Sequence, residues 1–509
     1  MPTAQRRRTA PATTALITLT ALCCAATGTA GASAIPDMRS ASPAAPAQVT
    51  LTVDTAHPYG ALPHEFVGLS YEMRELGVGD FDANTGNLVN LLRTLGSGNL
   101  RIGGNTLDRD TLWEPAGQPP PQPLPTWVKD VVGPADIVRL GHFLDATGWH
   151  SEVGINLGHY DASLAADEAV TLKSTLGSHL LGAACGNEPN DWAHNGLRTA
   201  PYGYPQYLPD WQACAVAAGS MPLAGPDVSS PTTTGAWVSQ FAAAQKNRLS
   251  LLTIHGYSVP GGSSATQLLS PQTDASEVAN VSQELAGARA AGLPIRIDET
   301  NSAAGGGITG VSDTYASALW SLDYSLLMAQ DGFSGLNFHG GLGVCDAPLY
   351  NGKFQIYTPI CAVNTADETA KVYTAAPEYY GLYLADRMGT GRFLPVKIST
   401  AGSAAAPNLT AYAVRGDDGK IRVAVIEKDA TTAASVNIAV RFTGGHTGTS
   451  ATVVHLTGKS LASAQGVQIQ GVSVDRSGRL PYRPAGKLRV HNGALSFALA
   501  SGSADLIIL

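Results

Sequence analysis

Hydrophobic and polar positions divide the chain into two parts with different periodicity. From residue 65 to about residue 341, short apolar runs alternate with longer segments whose apolar residues recur at helical spacing. Runs that are apolar throughout are typical of parallel strands buried on both faces. The eight runs span residues 66–71, 100–103, 153–156, 180–184, 222–225, 251–255, 295–298 and 335–339. Helices predicted between them include residues 88–95, 136–147, 204–218, 275–291 and 313–330.

Eight strand–helix units over about 275 residues match the size of a (β/α)8 TIM barrel. A doubly wound sheet would alternate in the same way. The polar residues favour the barrel, because the carboxyl ends of barrel strands converge on one face. Polar side chains at or just after the predicted strand ends are Ser70, Glu72, Asn105, Asn156, Asn187, Glu188, Asp227, His255, Tyr257 and Glu299. We therefore predict the α/β fold class, with a TIM barrel over residues 59–375.

The C-terminal part of the chain changes to period-two alternation separated by turns. Strands are predicted there at residues 409–414, 421–426, 436–440, 452–456 and 506–509. This pattern predicts a C-terminal β-sandwich domain over residues 376–509. Because residues 49–53 alternate in the same way, the segment 48–58 is expected to add an N-terminal strand to that domain. Packing against the barrel is its expected role, and carbohydrate binding is the alternative.

The first 34 residues have the features of a signal peptide. Arg6, Arg7 and Arg8 give a basic start, residues 15–26 are mostly apolar, and small residues at 32–34 form a cleavage site. A membrane anchor is the alternative, but this apolar run is too short to span a bilayer. Residues 35–47 are rich in Ala, Ser and Pro and are predicted to be a flexible lead-in. The protein is therefore expected to be secreted.

Charge and size limit the kinds of partner. The chain of 509 residues is 44% hydrophobic, which is ample for a large core. Its formal charge of −8 becomes −11 without residues 1–34, because three arginines leave and no acidic residue does. Such an acidic protein is a poor candidate for binding nucleic acid or anionic membranes. An anionic substrate would need a local binding site.

Four cysteines remain after the signal peptide: Cys185, Cys214, Cys345 and Cys361. An even number in an exported chain predicts two disulfides. We expect sequence neighbours to pair, Cys185 with Cys214 and Cys345 with Cys361. A zinc site is the alternative, but no Cys-x-x-Cys or paired histidine spacing supports it. No metal is therefore predicted.

Two glutamates follow predicted strands four and seven. Glu188 lies in Gly186-Asn187-Glu188-Pro189-Asn190, and Glu299 lies in Arg296-Ile297-Asp298-Glu299-Thr300-Asn301. Retaining glycosidases need two carboxyl groups about 5–5.5 Å apart, one as acid/base and one as nucleophile. Each motif alone is explained by a turn after a strand, but both at strand ends of an eight-unit pattern favour catalysis. The sequence predicts Glu188 as the acid/base, Glu299 as the nucleophile and Asn187 as a partner of a sugar hydroxyl.

With these motifs, the chain resembles glycoside hydrolase family 79, which holds microbial β-glucuronidases and heparanases. The resemblance extends from about residue 50 to the C-terminus. The Asn-Glu-Pro motif alone is shared by a whole clan of barrel glycosidases, whereas the glycine run after Glu299 narrows the choice to this family. The matching segments are residues 100–104, 186–190, 255–257, 299–302, 305–307, 312–314 and 377–380.

The resemblance also implies how the sugar is bound. The backbone of Gly305, Gly306 and Gly307 would hold a glucuronate carboxylate, and successive N–H groups in a glycine-rich turn do form anion-binding nests. A flexible linker is the alternative. Relatives often carry a tyrosine shortly before these glycines, where this chain has Ala303 and Ala304, and this departure weakens the case for glucuronate.

A tyrosine in the loop after strand eight contacts the carboxylate in these relatives. Tyr350 and Tyr357 are the candidates, and Tyr357 is the better match, with a packed aromatic as the alternative. Tyr257 is expected to hydrogen-bond Glu299 and keep it ionised. Ser70, Glu72 and Asn105 are candidate sugar partners, and Arg101 is expected in a buried ion pair. His255 is expected either beside the site or in a structural role. Trp113, Trp192 and Tyr202 are either aromatic platforms for sugars or packed side chains.

Together these features predict an exo-acting β-D-glucuronidase that works with retention and needs no cofactor. The alternatives are a 4-O-methylglucuronide, a neutral β-glycoside, an internal uronate linkage, or an inactive carbohydrate-binding protein. The scarcity of Lys and Arg near the motifs argues against attack on internal bonds of heparan-like chains. A carbohydrate is thus the expected partner, and the sequence carries no signal for an oligomeric state.

Overall fold

The computed structural model describes residues 47–229, 231–348, 355–401, 406–429, 435–445, 448–481 and 483–509. The predicted signal peptide, the lead-in up to residue 46 and the candidate Tyr350 lie outside the described residues. Within the described ranges, no helix has the length and apolar character needed to cross a membrane.

The elements are numbered in chain order. The strands are β1 (Gln48–Asp54), β2 (Tyr59–Leu62), β3 (Val67–Glu72), β4 (Asn99–Gly103), β5 (Thr111–Trp113), β6 (Asp130–Val132), β7 (His150–Ile155), β8 (Leu180–Cys185), β9 (Leu223–Val228), β10 (Leu249–Val259), β11 (Ile295–Ala303), β12 (Gly335–His339), β13 (Ile360–Ala362), β14 (Tyr373–Ala375), β15 (Gly391–Leu394), β16 (Val396–Ala401), β17 (Leu409–Gly416), β18 (Ile421–Glu427), β19 (Val436–Thr443), β20 (Ser450–Thr457), β21 (Gln468–Ile469), β22 (Gly486–Arg489), β23 (Ala494–Leu499) and β24 (Ser503–Ile508). The helices are α1 (Met73–Gly77), α2 (Leu88–Leu95), α3 (Gly104–Asp110), α4 (Pro134–Thr147), α5 (Ala162–Leu176), α6 (Trp192–Asn195), α7 (Tyr204–Ala217), α8 (Pro231–Gln245), α9 (Ala265–Leu268), α10 (Pro271–Asn280), α11 (Ser282–Ala291), α12 (Tyr315–Asp331), α13 (Thr365–Thr369) and α14 (Pro377–Asp386).

Eight parallel strands close into a barrel in the order β3-β4-β7-β8-β9-β10-β11-β12. This confirms the predicted TIM barrel. Every residue of β3, β4, β11 and β12 is buried, which explains why these strands lack alternation in the sequence. The carboxyl ends of all eight strands therefore open on one face, where active sites of this fold lie.

The remaining large sheets form a sheet-rich C-terminal domain, as predicted. A four-stranded sheet, β16-β1-β19-β23, packs through an apolar core against an eight-stranded sheet that includes β15, β17, β18, β24 and β20. The N-terminal strand β1 pairs with both β16 and β19. Strand β2, which the sequence assigned to the barrel, instead pairs with β15 in the eight-stranded sheet.

A buried lysine connects this domain to the barrel. Lys428 follows β18, and its Nζ lies 2.6 Å from Oδ2 of Asp274 in α10 and also bonds Asp323 in α12. The Lys428 side chain is only 1% exposed. A cation removed from water to this extent is stable only with its acidic partners, so the contact fixes the two domains together.

The structure also contains two disulfides and a pair of helices where the sequence predicted one. Cys185 is bonded to Cys214 and Cys345 to Cys361, which confirms the predicted disulfides. The helix predicted over residues 275–291 is two helices, because the chain leaves helical geometry at Val281 (φ −106°, ψ 4°), where the buried Val281 side chain separates α10 from α11.

Candidate active site

A cavity of about 610 Å³ opens at the carboxyl ends of the barrel strands. It brings together residues that are far apart in the sequence. Those among its lining that the sequence singled out are Glu72, Asn105, Glu188, His255, Tyr257, Glu299, Gly305, Gly306 and Tyr357. Most of the candidate site residues therefore share one concave surface.

The turn that carries Glu188 is fixed from several sides. Glu188 itself has a left-handed backbone (φ 49°, ψ 52°), and its N–H donates to the carbonyl of Asp227 at 2.9 Å. The N–H of Asn187 donates to Oδ2 of Asp108 at 2.6 Å. The indole N–H of Trp192 donates to the carbonyl of Asn187 at 2.8 Å. These bonds stabilise a conformation that a non-glycine residue adopts only under local constraint.

Both oxygens of the Glu299 carboxylate accept hydrogen bonds. Nη1 of Arg101 donates to Oε2 at 2.9 Å, and the hydroxyl of Tyr257 donates to Oε1 at 2.8 Å. Burial alone would raise the pKa of Glu299. The electrostatic interactions with His339, His255 and Arg101 and the hydrogen bond from Tyr257 outweigh burial and lower this pKa well below its ordinary value. Glu299 is therefore ionised at neutral pH.

Arg101 is the central cation beneath the cavity. Its Nη2 donates to Oδ1 of Asn187 at 2.7 Å and to Oδ2 of Asp227 at 3.3 Å. Its Nε lies 3.6 Å from Oδ2 of Asp298. One guanidinium thus orients Asn187, which precedes the acid/base candidate, and the nucleophile candidate Glu299. Its planar fork serves several partners at once, which an ammonium group cannot do with the same geometry.

His255 lies between the two glutamates. Its Nδ1 is 3.1 Å from Oε1 of Glu188 and 3.8 Å from Oε2 of Glu299. Burial and the nearby Arg101 lower the pKa of His255, but Glu299, the hydrogen bond to Glu188 and Asp298 together raise it to about 9. At neutral pH the protonated Nδ1 therefore donates to Glu188 and adds positive charge beside Glu299.

Two groups of side chains place possible metal ligands within 4.8 Å of one another: Glu188, His255 and Glu299, and separately Asp227, His255 and Asp298. Arg101 donates to Glu299 in the first group and to Asp227 in the second. A metal ion at either position would meet this fixed positive charge. Arg101 therefore already offsets part of the carboxylate charge in both groups, which weakens their attraction for a metal ion.

The glycine turn (Gly305, Gly306 and Gly307) follows β11. All three residues have left-handed backbones, with φ of 79°, 98° and 91°. Gly305 and Gly306 line the cavity, and neither N–H donates a hydrogen bond to a described residue. The carbonyl of Gly306 accepts from the N–H of Ile356 at 2.6 Å, which ties the turn to the segment before Tyr357. Two N–H groups at the cavity wall are thus available to an anion.

The other candidates take different places. Tyr357 lies in the cavity wall with its ring centroid 5.9 Å from that of Tyr257. Asn105 lines the cavity from α3. Ser70 is fully buried below the cavity, where its hydroxyl accepts from Arg101 at 3.2 Å and lies 3.1 Å from Nδ1 of His339. Asn187 keeps its Nδ2 group without a hydrogen bond to any described residue.

The three aromatic candidates pack against other residues and do not line the cavity. Trp113 is 6% exposed and Trp192 is fully buried, with Tyr202 stacked on it at 5.7 Å. An aromatic pair that the sequence did not single out lies nearby, where Trp127 stacks on His159 with ring centroids 4.0 Å apart.

Several further residues of the site escaped the sequence interpretation, among them Asp108, His339 and Gln355. Asp108 accepts N–H groups from Leu157, Gly158 and Asn187 and so joins the loops after two barrel strands. His339 and Gln355 line the cavity. His339 is the last residue of β12, so the strand-end rule that found Glu299 would also have found it.

Comparison with known proteins reveals structural likeness only. No protein-family model matches the chain, and no curated protein sequence matches it. A 4-O-α-L-rhamnosyl-β-D-glucuronidase from Fusarium oxysporum 12S, solved as a Rha-GlcA complex, superposes with a TM-score of 0.72 at 21% identity, covering 90% of this chain and 100% of that one. A GH51 arabinofuranosidase from Xanthomonas axonopodis pv. citri gives 0.65 at 15% identity over 91% and 100%. A monomeric β-xylosidase from Caulobacter crescentus CB15 gives 0.54 at 15% identity over 90% and 99%. These similarities show that the chain shares its fold with these proteins.

Proposed function

We propose that this protein is a retaining β-glycosidase, with Glu188 as the acid/base and Glu299 as the nucleophile. The observation that carries the proposal is the spacing of the two carboxyl groups: an oxygen of Glu188 and an oxygen of Glu299 lie within 4.8 Å. Retaining glycosidases hold these groups roughly 5–5.5 Å apart, whereas inverting enzymes need roughly 6.5–9.5 Å to admit a water molecule.

The surroundings of the two glutamates suit different roles. Glu299 is held ionised by Arg101, His255 and Tyr257, so it attacks the anomeric carbon as a carboxylate. The Glu188 side chain is 16% exposed against 4% for Glu299, so it can exchange protons with water and with a leaving group. Glu188 donates a proton to the departing oxygen and then takes one from the water that releases the sugar.

Arg101 and Tyr257 favour the second step, in which water releases the sugar. While Glu299 is bonded to the anomeric carbon as an ester, its two oxygens carry little charge, so the hydrogen bonds from Arg101 and Tyr257 are weak. When water attacks the anomeric carbon, Glu299 leaves as a carboxylate and regains both hydrogen bonds. These donors therefore make Glu299 a better leaving group in the second step, because they are stronger in the transition state than in the covalent intermediate.

For the sugar, we propose a β-D-glucuronide and membership of glycoside hydrolase family 79. At the cavity wall the glycine turn supplies two N–H groups that donate to none of the described residues, and the Tyr357 hydroxyl is the side-chain candidate for the same carboxylate. The motif resemblance and the Fusarium glucuronidase with the same fold support this assignment. The Nδ2 group of Asn187 suits a hydroxyl next to the anomeric carbon. The two disulfides and the predicted signal peptide support secretion.

A panel of p-nitrophenyl β-glycosides tests the proposal: glucuronide, 4-O-methylglucuronide, glucoside, galactoside and xyloside. We expect wild type to prefer the glucuronide. In Glu188→Gln and Glu299→Gln, kcat on the glucuronide should fall more than 1,000-fold, on the scale of removing an essential catalytic group. Glu168→Gln is the matched control, because Glu168 is a buried glutamate outside the cavity. Proton NMR of the first product would show the β-anomer if configuration is retained.

Each other result has a defined meaning. Activity on a neutral sugar alone would keep the two glutamates and reject the carboxylate-binding role of the glycine turn. A first product with the α-configuration would reject retention. Full activity in Glu299→Gln would reject the catalytic assignment, and binding without hydrolysis by wild type would favour a carbohydrate-binding protein.

A further inference from the structure

The wall of the cavity beyond Tyr257 is polar and takes no part in the proposed hydrolysis. It is formed by the end of β10 and by α10, and its polar side chains are Ser258, Glu277 and Asn280. Glu277 and Asn280 are three positions apart on α10, so they lie on one face of the helix. These three residues, the polar wall, bring a hydroxyl, a carboxyl and an amide to one side of the cavity.

One indole supports the polar wall from behind. The indole N–H of Trp320, which is 2% exposed, donates to Oγ of Ser258 at 3.1 Å and to Oε1 of Glu277 at 3.0 Å. The side chain of Asn280 is half-buried, and its amide makes no hydrogen bond with a described residue. Two groups of the wall are thus fixed in place, and the third is available to a ligand.

The polar wall carries no strong charge at neutral pH. Burial raises the pKa of Glu277 to about 8, although the hydrogen bonds from Ser258 and Trp320 lower it. A protonated carboxyl donates one hydrogen bond and accepts others, as an amide does. Residues 256–281, which include the polar wall, contain no lysine or arginine. The wall therefore suits neutral hydroxyl groups and offers no charge pairing to an anion.

The polar wall lies on the side of the cavity where the reaction takes place. His255 of β10 contacts both glutamates, with its Nδ1 3.1 Å from Glu188 and 3.8 Å from Glu299. An anomeric carbon between these glutamates is therefore close to β10, and Ser258 lies three residues further along the same strand. The cavity of about 610 Å³ has the size of a site for a drug-sized ligand, which exceeds the needs of one sugar ring. A second group therefore has room beside the polar wall.

We propose that the polar wall binds a neutral, hydroxyl-rich acceptor, and that the enzyme transfers its bound sugar to this acceptor in competition with water. This activity rests on the proposed function. In the transfer step, an acceptor hydroxyl oxygen forms a bond to the anomeric carbon, and the bond from that carbon to Glu299 breaks. Glu299 leaves as a carboxylate, and the proton of the acceptor hydroxyl passes to Glu188. A new glycoside forms where hydrolysis would give a free sugar.

Binding is what allows an alcohol to compete with water. Water is far more concentrated than any dissolved sugar, so an acceptor that merely diffuses into the cavity captures few glycosyl groups. An acceptor held by the polar wall keeps a hydroxyl next to the anomeric carbon, which makes the attack effectively unimolecular. The inference therefore predicts that transfer depends on the side chains of the wall and on the chemistry of the acceptor.

Product analysis with three acceptors tests this inference. The donor is the p-nitrophenyl glycoside that wild type hydrolyses best, and the acceptors are methyl α-D-glucoside, its 6-sulfate and methanol. Transfer releases p-nitrophenol without free sugar, so the two amounts give the ratio of transfer to hydrolysis, and mass spectrometry identifies the new glycoside. At equal acceptor concentrations, the ratio for methyl α-D-glucoside should exceed the other two about tenfold, on the scale of one or two hydrogen bonds.

Two variants locate the acceptor. Asn280→Ala removes the amide of the polar wall, and Ser258→Ala removes its hydroxyl. Each should lower the transfer ratio for methyl α-D-glucoside about fivefold, on the scale of one hydrogen bond, and leave the ratio for methanol unchanged. Asn247→Ala, at an exposed asparagine outside the cavity, is the matched control and should change neither ratio. Melting temperatures of all three variants confirm that the compared proteins are folded.

The outcomes separate this inference from the proposed function. If wild type hydrolyses none of the p-nitrophenyl glycosides, the proposed function fails. If it hydrolyses one of them and forms no new glycoside with methyl α-D-glucoside, the proposed function stands and the acceptor site is rejected. Transfer that is equal for all three acceptors, or that stays unchanged in both Asn280→Ala and Ser258→Ala, would reject the acceptor site as well.

Discussion

The Tyr257 hydroxyl donates a hydrogen bond to Oε1 of Glu299 at 2.8 Å, while Arg101 occupies the opposite carboxylate oxygen. In Tyr257→Phe this donor is lost, and the pKa of Glu299 rises because its charged form loses stabilisation. A hydrogen bond to a charged group contributes about 1.5–3 kcal/mol, so kcat should fall roughly 10- to 100-fold. The acidic limb of the kcat/KM profile should move to higher pH.

Tyr160→Phe is the control for this prediction, because the Tyr160 hydroxyl donates only to the carbonyl of Ala213. It should leave both the rate and the pH profile unchanged. A Tyr257→Phe enzyme with reduced kcat but an unmoved acidic limb would mean that Tyr257 packs against the substrate and does not tune Glu299.

Lysine variants of two buried barrel arginines can distinguish a role in catalysis from a role in folding. Arg101 contacts Glu299 and Asn187, whereas Arg296 contacts Asn337 and backbone carbonyls below the site. Both Arg→Lys variants should lower the melting temperature, because a lysine cannot serve all partners of a guanidinium. Only Arg101→Lys should also lower kcat of the folded protein, by about 100-fold or more on the scale of losing a charge-assisted hydrogen bond. Equal kcat losses in the two variants would reject a specific role for Arg101.

The strands and the proximity of the two candidate glutamates could be predicted from the sequence for a physical reason. Strands buried on both faces appear as continuous apolar runs, and a barrel brings every carboxyl end to one face. Glu188 and Glu299 could therefore be placed together although 111 positions separate them in the chain. The same reasoning fails for Asp108, which lies in the short helix α3 and contacts Asn187 only in three dimensions.

The sequence also could not predict whether a loop side chain faces the cavity or the protein interior. Trp192 follows the Glu188 turn and could have faced the cavity as a sugar platform. Instead, it is buried and its indole N–H donates to the carbonyl of Asn187, so that it supports the turn from behind. Local composition is the same in both cases, and only packing against the neighbouring barrel residues decides between them.

The protonation of His255 should make the free energy of unfolding depend on pH. Its pKa rises from 6.5 to about 9 on folding, because Glu299, Glu188 and Asp298 face it and outweigh burial and Arg101. A raised pKa means that the folded state binds the proton more tightly. This contribution to the free energy of unfolding, roughly 3 kcal/mol, is fully present below pH 6.5 and is lost as pH rises through about 9.

Urea denaturation of wild type and His255→Gln between pH 6 and pH 10 measures this contribution. Other buried acids titrate in the same range, so the difference between the two proteins is the relevant quantity. That difference should shrink as pH rises. A difference that stays constant across the range would show that His255 is neutral in the folded protein.

We expect the buried ion pairs of Lys428 to stabilise the contact between the C-terminal domain and the barrel. In Lys428→Met, Asp274 and Asp323 lose their shared cation, and breaking a buried ion pair costs about 3–5 kcal/mol. The denaturation midpoint should fall sharply, whereas the specific activity of the folded protein should be unchanged, because Lys428 lies outside the cavity. Lys420→Met is the control at an exposed lysine and should change stability by less than about 0.5 kcal/mol. Similar midpoints for the two variants would show that packing alone holds the domains together.

The two disulfides should differ in their effect on substrate binding. Cys345–Cys361 closes the chain segment that contains Ile356 and Tyr357, and Ile356 is bonded to the glycine turn. Cys185–Cys214 joins β8 to α7 close to the Glu188 turn, but Asp108 and Trp192 also hold that turn. Removing either pair by double Cys→Ser exchange should cost roughly 3–4 kcal/mol, as expected for closed loops of these lengths.

Only the Cys345→Ser/Cys361→Ser protein should show a raised KM for p-nitrophenyl β-glucuronide, by fivefold or more, with kcat changed less than threefold. The reason is that its released segment carries Tyr357 and the contact to Gly306, which are proposed to bind the sugar carboxylate. For Cys185→Ser/Cys214→Ser, KM should stay within twofold of wild type at a temperature where both proteins are folded. An unchanged KM in the first protein would mean that Thr358 and its hydrogen bonds to Gly341 hold the segment in place without the disulfide.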